Sequence, residues 1–375
     1  MDLDFTEEQD LLRQTVRELC AKHSTADIVR ALEDDPVGYR PELWDELAKT
    51  GLIGLTIGEE HGGAGLGPLE LAVVYEELGR TITPSPHLIS AVVCAGLIAA
   101  GGSDEQKTEW LPKIAAGEAI VTLAWHEPES SSGAEGIQAT AKEGRLDGVK
   151  IVVPFASSAE RLLVLARDGD GIGAFLVDPA AEGVTLTQTL TMGSGAEYQV
   201  ELSEAPGERL PGDGWSALES ALDDGLIAIA AYAIGGAERA HEMSVEYAKE
   251  RVQFDRPIGS FQGIAHPLAD IATEFEGGRV LVYEAAWRRA SGLPMGPLAA
   301  MAKLYACDVF RRATKVGQQV FGGIGFTRDI DMQLYFRRAK QLEITFFEPR
   351  HLEEIVASFE LDAGTPFVSI DSGAS

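Results

Sequence analysis

The sequence predicts an α+β protein, mostly α, with an N-terminal helical domain, a small central β-domain and a C-terminal helical bundle. Three observations predict it. Apolar residues recur at helical spacing up to about residue 116, short β-rich runs separated by turn residues occupy 119–210, and long helical runs return over 215–358. The boundaries follow as 1–118, 119–213 and 214–360, with a polar, loose tail over 361–375.

The first helix starts at Phe5-Thr6-Glu7-Glu8-Gln9, where Thr6 is a capping residue and the acids suit the positive helix end. Leu11, Leu12, Val16, Leu19 and Cys20 continue it on one face. A second helix spans 42–50, with Leu43, Trp44, Leu47 and Ala48 on one face and Gly51 as its stop. The glycine-rich 62–67 stretch is a loop, and helices follow over 69–78, 88–101 and 104–116. In the β-rich part, 120–123, 150–153, 161–166 and 173–177 read as strands, separated by turns such as Asp147-Gly148 and 168–171. The long helix over 226–254 carries Gly235-Gly236 in its middle. Glycine there costs about 1 kcal/mol each against alanine, which leaves close helix approach or a ligand as the two explanations. Further helices cover 264–291 and 298–321.

A formal net charge of -28 excludes a nucleic-acid partner, because phosphates call for a basic surface. Cys20, Cys94 and Cys307 are far apart and form neither metal-ligand spacing nor a disulfide framework, which fits a reducing compartment. The start Met1-Asp2-Leu3-Asp4 is acidic, without the basic and apolar segments of a signal peptide. The longest apolar run, Leu88 to Ala100, is shorter than the roughly 20 residues of a bilayer span. A cytoplasmic protein without membrane insertion is expected.

Four stretches carry a family resemblance. They are 43–65 (from Leu43-Trp44-Asp45-Glu46-Leu47 to the glycine-rich loop), Trp125-His126-Glu127-Pro128, 246–262 (Tyr247-Ala248-Lys249-Glu250-Arg251 through Phe254 to Gln262), and Gln319-Val320-Phe321-Gly322-Gly323. In this order and at these separations they resemble the acyl-CoA dehydrogenase family over about 2–358. The resemblance implies a helical domain, a β-domain and a four-helix bundle that builds the oligomer, with FAD lying across subunit boundaries. Arg251 matches the arginine that reaches the pyrophosphate of a flavin bound mainly by a neighbouring subunit, a task suited to a permanent charge and a rigid donor fork. Phe254 is implied beside the adenine half and Gln262 as a polar contact. Gln319, Val320, Gly322 and Gly323 form the other dinucleotide stretch, where glycine lets the backbone approach closely. Trp125 and His126 open the flavin-covering strand. His126 and Pro154 stand where relatives place threonines, and Val152 stands where many place a tryptophan.

The implied reaction is α,β-dehydrogenation of an acyl-CoA thioester, with a carboxylate removing the α-proton and an electron-transferring flavoprotein as redox partner. Many members carry that glutamate in Tyr-Glu-Gly-Thr after Arg-Asp-Ala-Lys. Here the counterpart is Arg337-Arg338-Ala339-Lys340, and counting onward puts Phe346 at the glutamate position, with Glu348 two residues later. Glu348 is one candidate base, or a cap for the next helix before Pro349. Asp224, beside Asp223, falls one residue from another position used in the family, with capping as its bland role. Tyr232 occupies a third such position and is too weak an acid to serve. The alternative to a self-sufficient enzyme is a non-catalytic subunit that completes the FAD site of a homologous chain in a heterotetramer. Some bacterial enzymes for bulky acyl-CoA substrates, steroid side chains included, resemble that arrangement.

Overall fold

Helix starts and stops explain the N-terminal part of the computed structural model, which describes residues 5–193 and 195–362. Helix α1 (Glu7–His23) begins at a full capping box, in which Thr6 accepts from the Gln9 amide and Gln9 accepts from the Thr6 amide. A short α2 (Ala26–Ala31), too brief for its spacing to stand out, precedes α3 (Pro41–Lys49), which has proline in its first turn and Gly51 at positive φ behind it. Helix α4 (Pro68–Arg80) is followed by a π-helical run, Leu88–Cys94, that passes into α5 (Ala95–Gly101), and α6 (Asp104–Ala115) ends the series.

The middle of the chain is a closed sheet. Strands β1 (Val121–Ala124), β2 (Thr140–Lys142), β3 (Arg145–Pro154), β4 (Arg161–Asp168), β5 (Gly171–Val177), β6 (Val184–Thr189) and β7 (Glu197–Arg209) pair so that β4–β5–β7–β3–β2 returns to β4, with β1 and β6 added outside the ring. Leu162–Ala166 of β4 are all buried, which is why that strand reads as an unbroken apolar run. Strand β3 bulges between Lys150 and Val153, and Val152 sits there at φ 54, a backbone region that β-branched residues rarely enter.

Helix α7 (Gly214–Glu250) is the axis of the C-terminal part, packed against α8 (Gln262–Ala290), α9 (Leu298–Phe321) and α10 (Met332–Ile344) in a four-helix arrangement. Helix α7 starts earlier than its apolar spacing predicts, because Asp213 caps it through the Ser216 amide. A short α11 (Pro349–Ala357) lies against α9. Of the expected loose tail, 361–362 end a π-helical run and the rest lies outside the described residues.

Gly235 and Gly236 serve packing. A Cβ on Gly235 would lie 1.8 Å from the Glu76 carbonyl oxygen of α4, and one on Gly236 would lie 2.5 Å from the Phe310 ring of α9. The α4–α7 contact is reciprocal, since a Cβ on Gly79 would lie 2.0 Å from the Tyr232 carbonyl oxygen. Charges close this junction: Arg279 pairs with Glu76 at 2.9 Å and Glu238 at 3.0 Å, and Arg80 pairs with Glu238 at 2.7 Å and Glu242 at 2.8 Å. Gly235→Ala is expected to lower stability by about 1–3 kcal/mol, because two backbones must separate to admit a methyl group. A denaturation midpoint within error of the parent would contradict the rigid contact.

Candidate active site

The three parts meet around a cavity of 660 Å³, within the usual range for small-molecule sites. Tyr75, Leu78 and the 83–89 segment line it from the N-terminal helices. The sheet contributes Trp125, His126 and the bulged Val152–Phe155 turn, and the bundle contributes Ile229, Tyr232 and the 337–346 stretch.

A buried ion pair fixes the strand that presents Trp125 and His126. Lys150, fully buried in β3, donates to Glu127 at 2.5 Å and to the Trp125 carbonyl at 3.3 Å. The Glu127 carboxylate also accepts from the main-chain amides of Gln138 and Ala139, each at 3.0 Å. Burial pulls the Lys150 pKa down to about 8, against the opposing pull of Glu127. The Trp125 and His126 rings touch at a tilt, with centroids 4.0 Å apart and planes 39° from each other. Burial, with the Lys150 charge adding to it, holds the His126 pKa down to about 4, so this imidazole is neutral near pH 7.

Two neutral hydrogen-bonded groups, His87 and Tyr232, also line the cavity. His87 Nε2 faces the Leu52 carbonyl at 2.9 Å, so that nitrogen carries the proton and Nδ1 accepts from the Tyr75 hydroxyl at 2.8 Å. Tyr232 donates to the Thr83 carbonyl at 3.3 Å, and burial pushes its pKa up to about 12.

Phe346, at the position expected for a glutamate, sits at φ 63 while the Phe347 amide donates to the Thr345 carbonyl at 2.9 Å. That is a γ-turn with positive φ, a rare and strained form. Lys303 of α9, buried without a carboxylate, clamps it by donating to the Phe347 carbonyl at 2.6 Å and the Glu343 carbonyl at 3.2 Å. Glu348 is exposed at the start of α11 and is not in the cavity wall. Asp224 is also outside the wall, engaged by Arg289 at 3.1 and 3.3 Å. Three carboxylates do line the cavity: Glu127, already paired; Glu129, exposed on its loop; and Glu197, which accepts from Gln341 at 2.9 Å.

The remaining expected residues gather elsewhere, where the end of α7, the start of α8 and the end of α9 converge. Arg251 ends α7 and is exposed. A two-residue hairpin follows, with strands β8 (Val252–Gln253) and β9 (Arg256–Pro257) joined through Phe254 and Asp255, both at positive φ. It leaves Phe254 87% exposed. Gln262, Gln319, Gly322 and Gly323 are exposed beside it, and a Cβ on either glycine would meet nothing within 4 Å. Val320 is the exception, buried against Ala248 and Leu268 to hold the three ends together. None of these residues lines the cavity. Of the residues expected from sequence at the cofactor, Trp125 and His126 line the cavity, whereas the buried lysines Lys150 and Lys303 were not singled out. A lysine inside an apolar strand was the one available signal for Lys150.

The chain is similar to known proteins in both sequence and fold. Residues 6–118 match the model "Acyl-CoA dehydrogenase, N-terminal domain", and residues 212–346 match "Acyl-CoA dehydrogenase, C-terminal domain". The chain is 32% identical to an acyl-CoA dehydrogenase of Bacillus subtilis, over 97% of this chain and 100% of the relative. Among solved structures, a variant of the Tcur3481-Tcur3483 steroid ACAD is 34% identical with a TM-score of 0.87, covering 95% of this chain and 98% of the other. The ChsE4-ChsE5 complex from Mycobacterium tuberculosis is 30% identical with a TM-score of 0.88, covering 98% and 100%.

Two expectations follow from the buried charges. Lys150→Met is expected to lose about 3–5 kcal/mol of stability in chemical denaturation, because Glu127 is left buried without its partner. For His126, the folded pKa of about 4 lies below the ordinary 6.5, so its contribution is complete above pH 6.5 and is lost as pH falls toward 4, where the unfolded chain takes the proton first. The acid loss of stability is therefore expected to be shallower in His126→Gln across that window, and parallel curves would show that the imidazole does not titrate this way.

Proposed function

The chain belongs to the acyl-CoA dehydrogenase family of FAD-dependent oxidoreductases, and on that premise we propose that it α,β-dehydrogenates an acyl-CoA thioester. The observation that carries this reading is the division of the candidate residues into two separate surfaces. One is a largely apolar cavity with Trp125 and His126 in its wall, and the other is an exposed bundle end with Arg251, Phe254 and two unobstructed glycines.

These residues fit FAD, whose flat ring system suits the cavity and whose pyrophosphate suits a guanidinium beside open glycine backbone. The two surfaces do not join within one chain, so two chains supply the complete site, either as a homo-oligomer or with a homologous subunit. FAD held by these residues would supply a hydride acceptor for the β-carbon, and an electron-transferring flavoprotein is the proposed acceptor of those electrons. The chain's own contributions are positional and electrostatic. Lys150 and Glu127 hold the Trp125–His126 strand end, neutral His126 keeps a net charge away from the ring, and the apolar wall excludes water from the thioester.

In this reading Glu348 takes the α-proton after the Thr345–Glu348 connection refolds around the ligand. Its support is the strain at Phe346, which costs about 1–3 kcal/mol and is released by such a change. Asp224 stays with Arg289. A second reading is favoured by the same connection as it stands, with Phe346 buried and Glu348 facing away. There the chain is the partner subunit that completes the FAD site of a homologue.

The test is the absorbance spectrum of the purified chain, followed by anaerobic addition of acyl-CoA thioesters. The expected result is bound flavin that bleaches, slowed about 100-fold or more by Glu348→Gln, as for loss of a general base, and unaffected by Asp224→Asn. A colourless protein that gains flavin only when a homologous chain is coexpressed, with no effect of Glu348→Gln on that complex, overturns the first reading in favour of the second.

A further inference from the structure

Three cations stand close together on α10, and among the described residues only one of them lacks a hydrogen-bonded or ion-paired partner. Arg337 donates to Gln333 at 2.9 Å and pairs with Glu33, and Lys340 pairs with Glu343 at 2.6 Å. Among the described residues, Arg338 makes no hydrogen bond and no carboxylate lies within 4.0 Å of it. Yet it is half-buried, in the wall of the large cavity and of a smaller recess that adjoins it beside Ile82 and Pro84.

An arginine without a counter-ion in such a wall is unfavourable, because the guanidinium gives up water and receives nothing in exchange. Glu197, which lines the same cavity, does not resolve this. Glu197 accepts from Gln341 at 2.9 Å, and burial raises its pKa, with Arg338 only opposing that shift from a distance. Arg338 shares the cavity wall with Tyr232. Leu78, Ile89 and Ile229 make much of the remaining wall apolar.

Resting on the dehydrogenase reading, we propose that Arg338 is a specificity residue that receives a carboxylate borne at the far end of the acyl group. A carboxylate matches the planar donor fork in charge and geometry, and the ligand then supplies the partner that the fold withholds. The preferred thioester is one with an apolar middle and an anionic end. The other anions such a ligand carries are the phosphates of its CoA moiety, which are common to every thioester and give no discrimination among acyl groups.

The experiment uses the FAD-loaded protein, coexpressed with a homologous chain if flavin requires it. Matched monoacid and α,ω-diacid CoA thioesters, from butanoyl to dodecanoyl length, are titrated by flavin absorbance and calorimetry. At the best length the diacid thioester is expected to bind roughly 10- to 100-fold tighter. Arg338→Met is expected to remove that preference and leave the monoacid affinity within about twofold, while Arg338→Lys, which keeps the charge without the fork, retains part of it. Absence of a diacid preference at every length overturns the proposal while the dehydrogenase reading stands. So does Arg338→Met weakening both members of a pair equally, the mark of a contact to the CoA phosphates. If no thioester binds, the dehydrogenase reading fails and this proposal falls with it.

Discussion

Two backbones in direct contact set the rest of this structure. Helices α4 and α7 approach so closely that each presents a carbonyl to a glycine of the other, Glu76 to Gly235 and Tyr232 to Gly79. No side chain fits between them. The N-terminal helices are thereby fastened to the bundle axis, and the residues one turn either side of the contact are aimed by it. Tyr75 and Tyr232 turn toward the cavity, while the Glu76 and Glu77 carboxylates turn toward Arg279 and Arg17. Burial of two acids in α4 is tolerable because each finds an arginine, and Tyr283 adds a 2.7 Å hydrogen bond to Glu76.

Charge inside the cavity region is distributed by the same economy of partners. Lys150 and Glu127 cancel each other beneath the Trp125–His126 strand end, and His126 stays neutral partly because Lys150 is near. Among the described residues no carboxylate lies within 4.0 Å of the Lys303 ammonium, which is satisfied instead by the carbonyls that close α10 and the turn after it. Each charge serves to hold backbone in place. Arg338 departs from that pattern, which is why it stands out from the other cations of α10.

How much of this was legible in the sequence depended on whether the deciding force was local. Caps and apolar spacing located α1, α3, α4 and α9 because those signals act within a few residues. Helix α10 was passed over as a helix: its segment was read for a family motif, and its apolar residues are interleaved with Arg337, Arg338 and Lys340. The edge strand β6 alternates intermediate and exposed positions, so it offered no apolar run to read. In the candidate site, Trp125 and His126 were legible through the motif they open. The Gly235-Gly236 pair was visible but ambiguous, since its meaning lies in a carbonyl more than a hundred residues away. Glu348 and Asp224 could be nominated by counting, but which way a carboxylate faces is decided by the γ-turn at Phe346 and by Arg289, neither of which spacing reveals.

The separation of the cavity from the Arg251 surface bears on how such a chain can change over generations. Where one copy lends its bundle end to the cavity of another, a duplicated gene can be inherited as two specialised halves. One descendant keeps an intact cavity and the other keeps only the surface that its sister needs. Selection then relaxes on the second cavity alone, and its wall is free to lose a proton acceptor or to gain a charge. Phe346, buried in the cavity wall at the position expected for a glutamate, is the kind of residue such drift leaves behind.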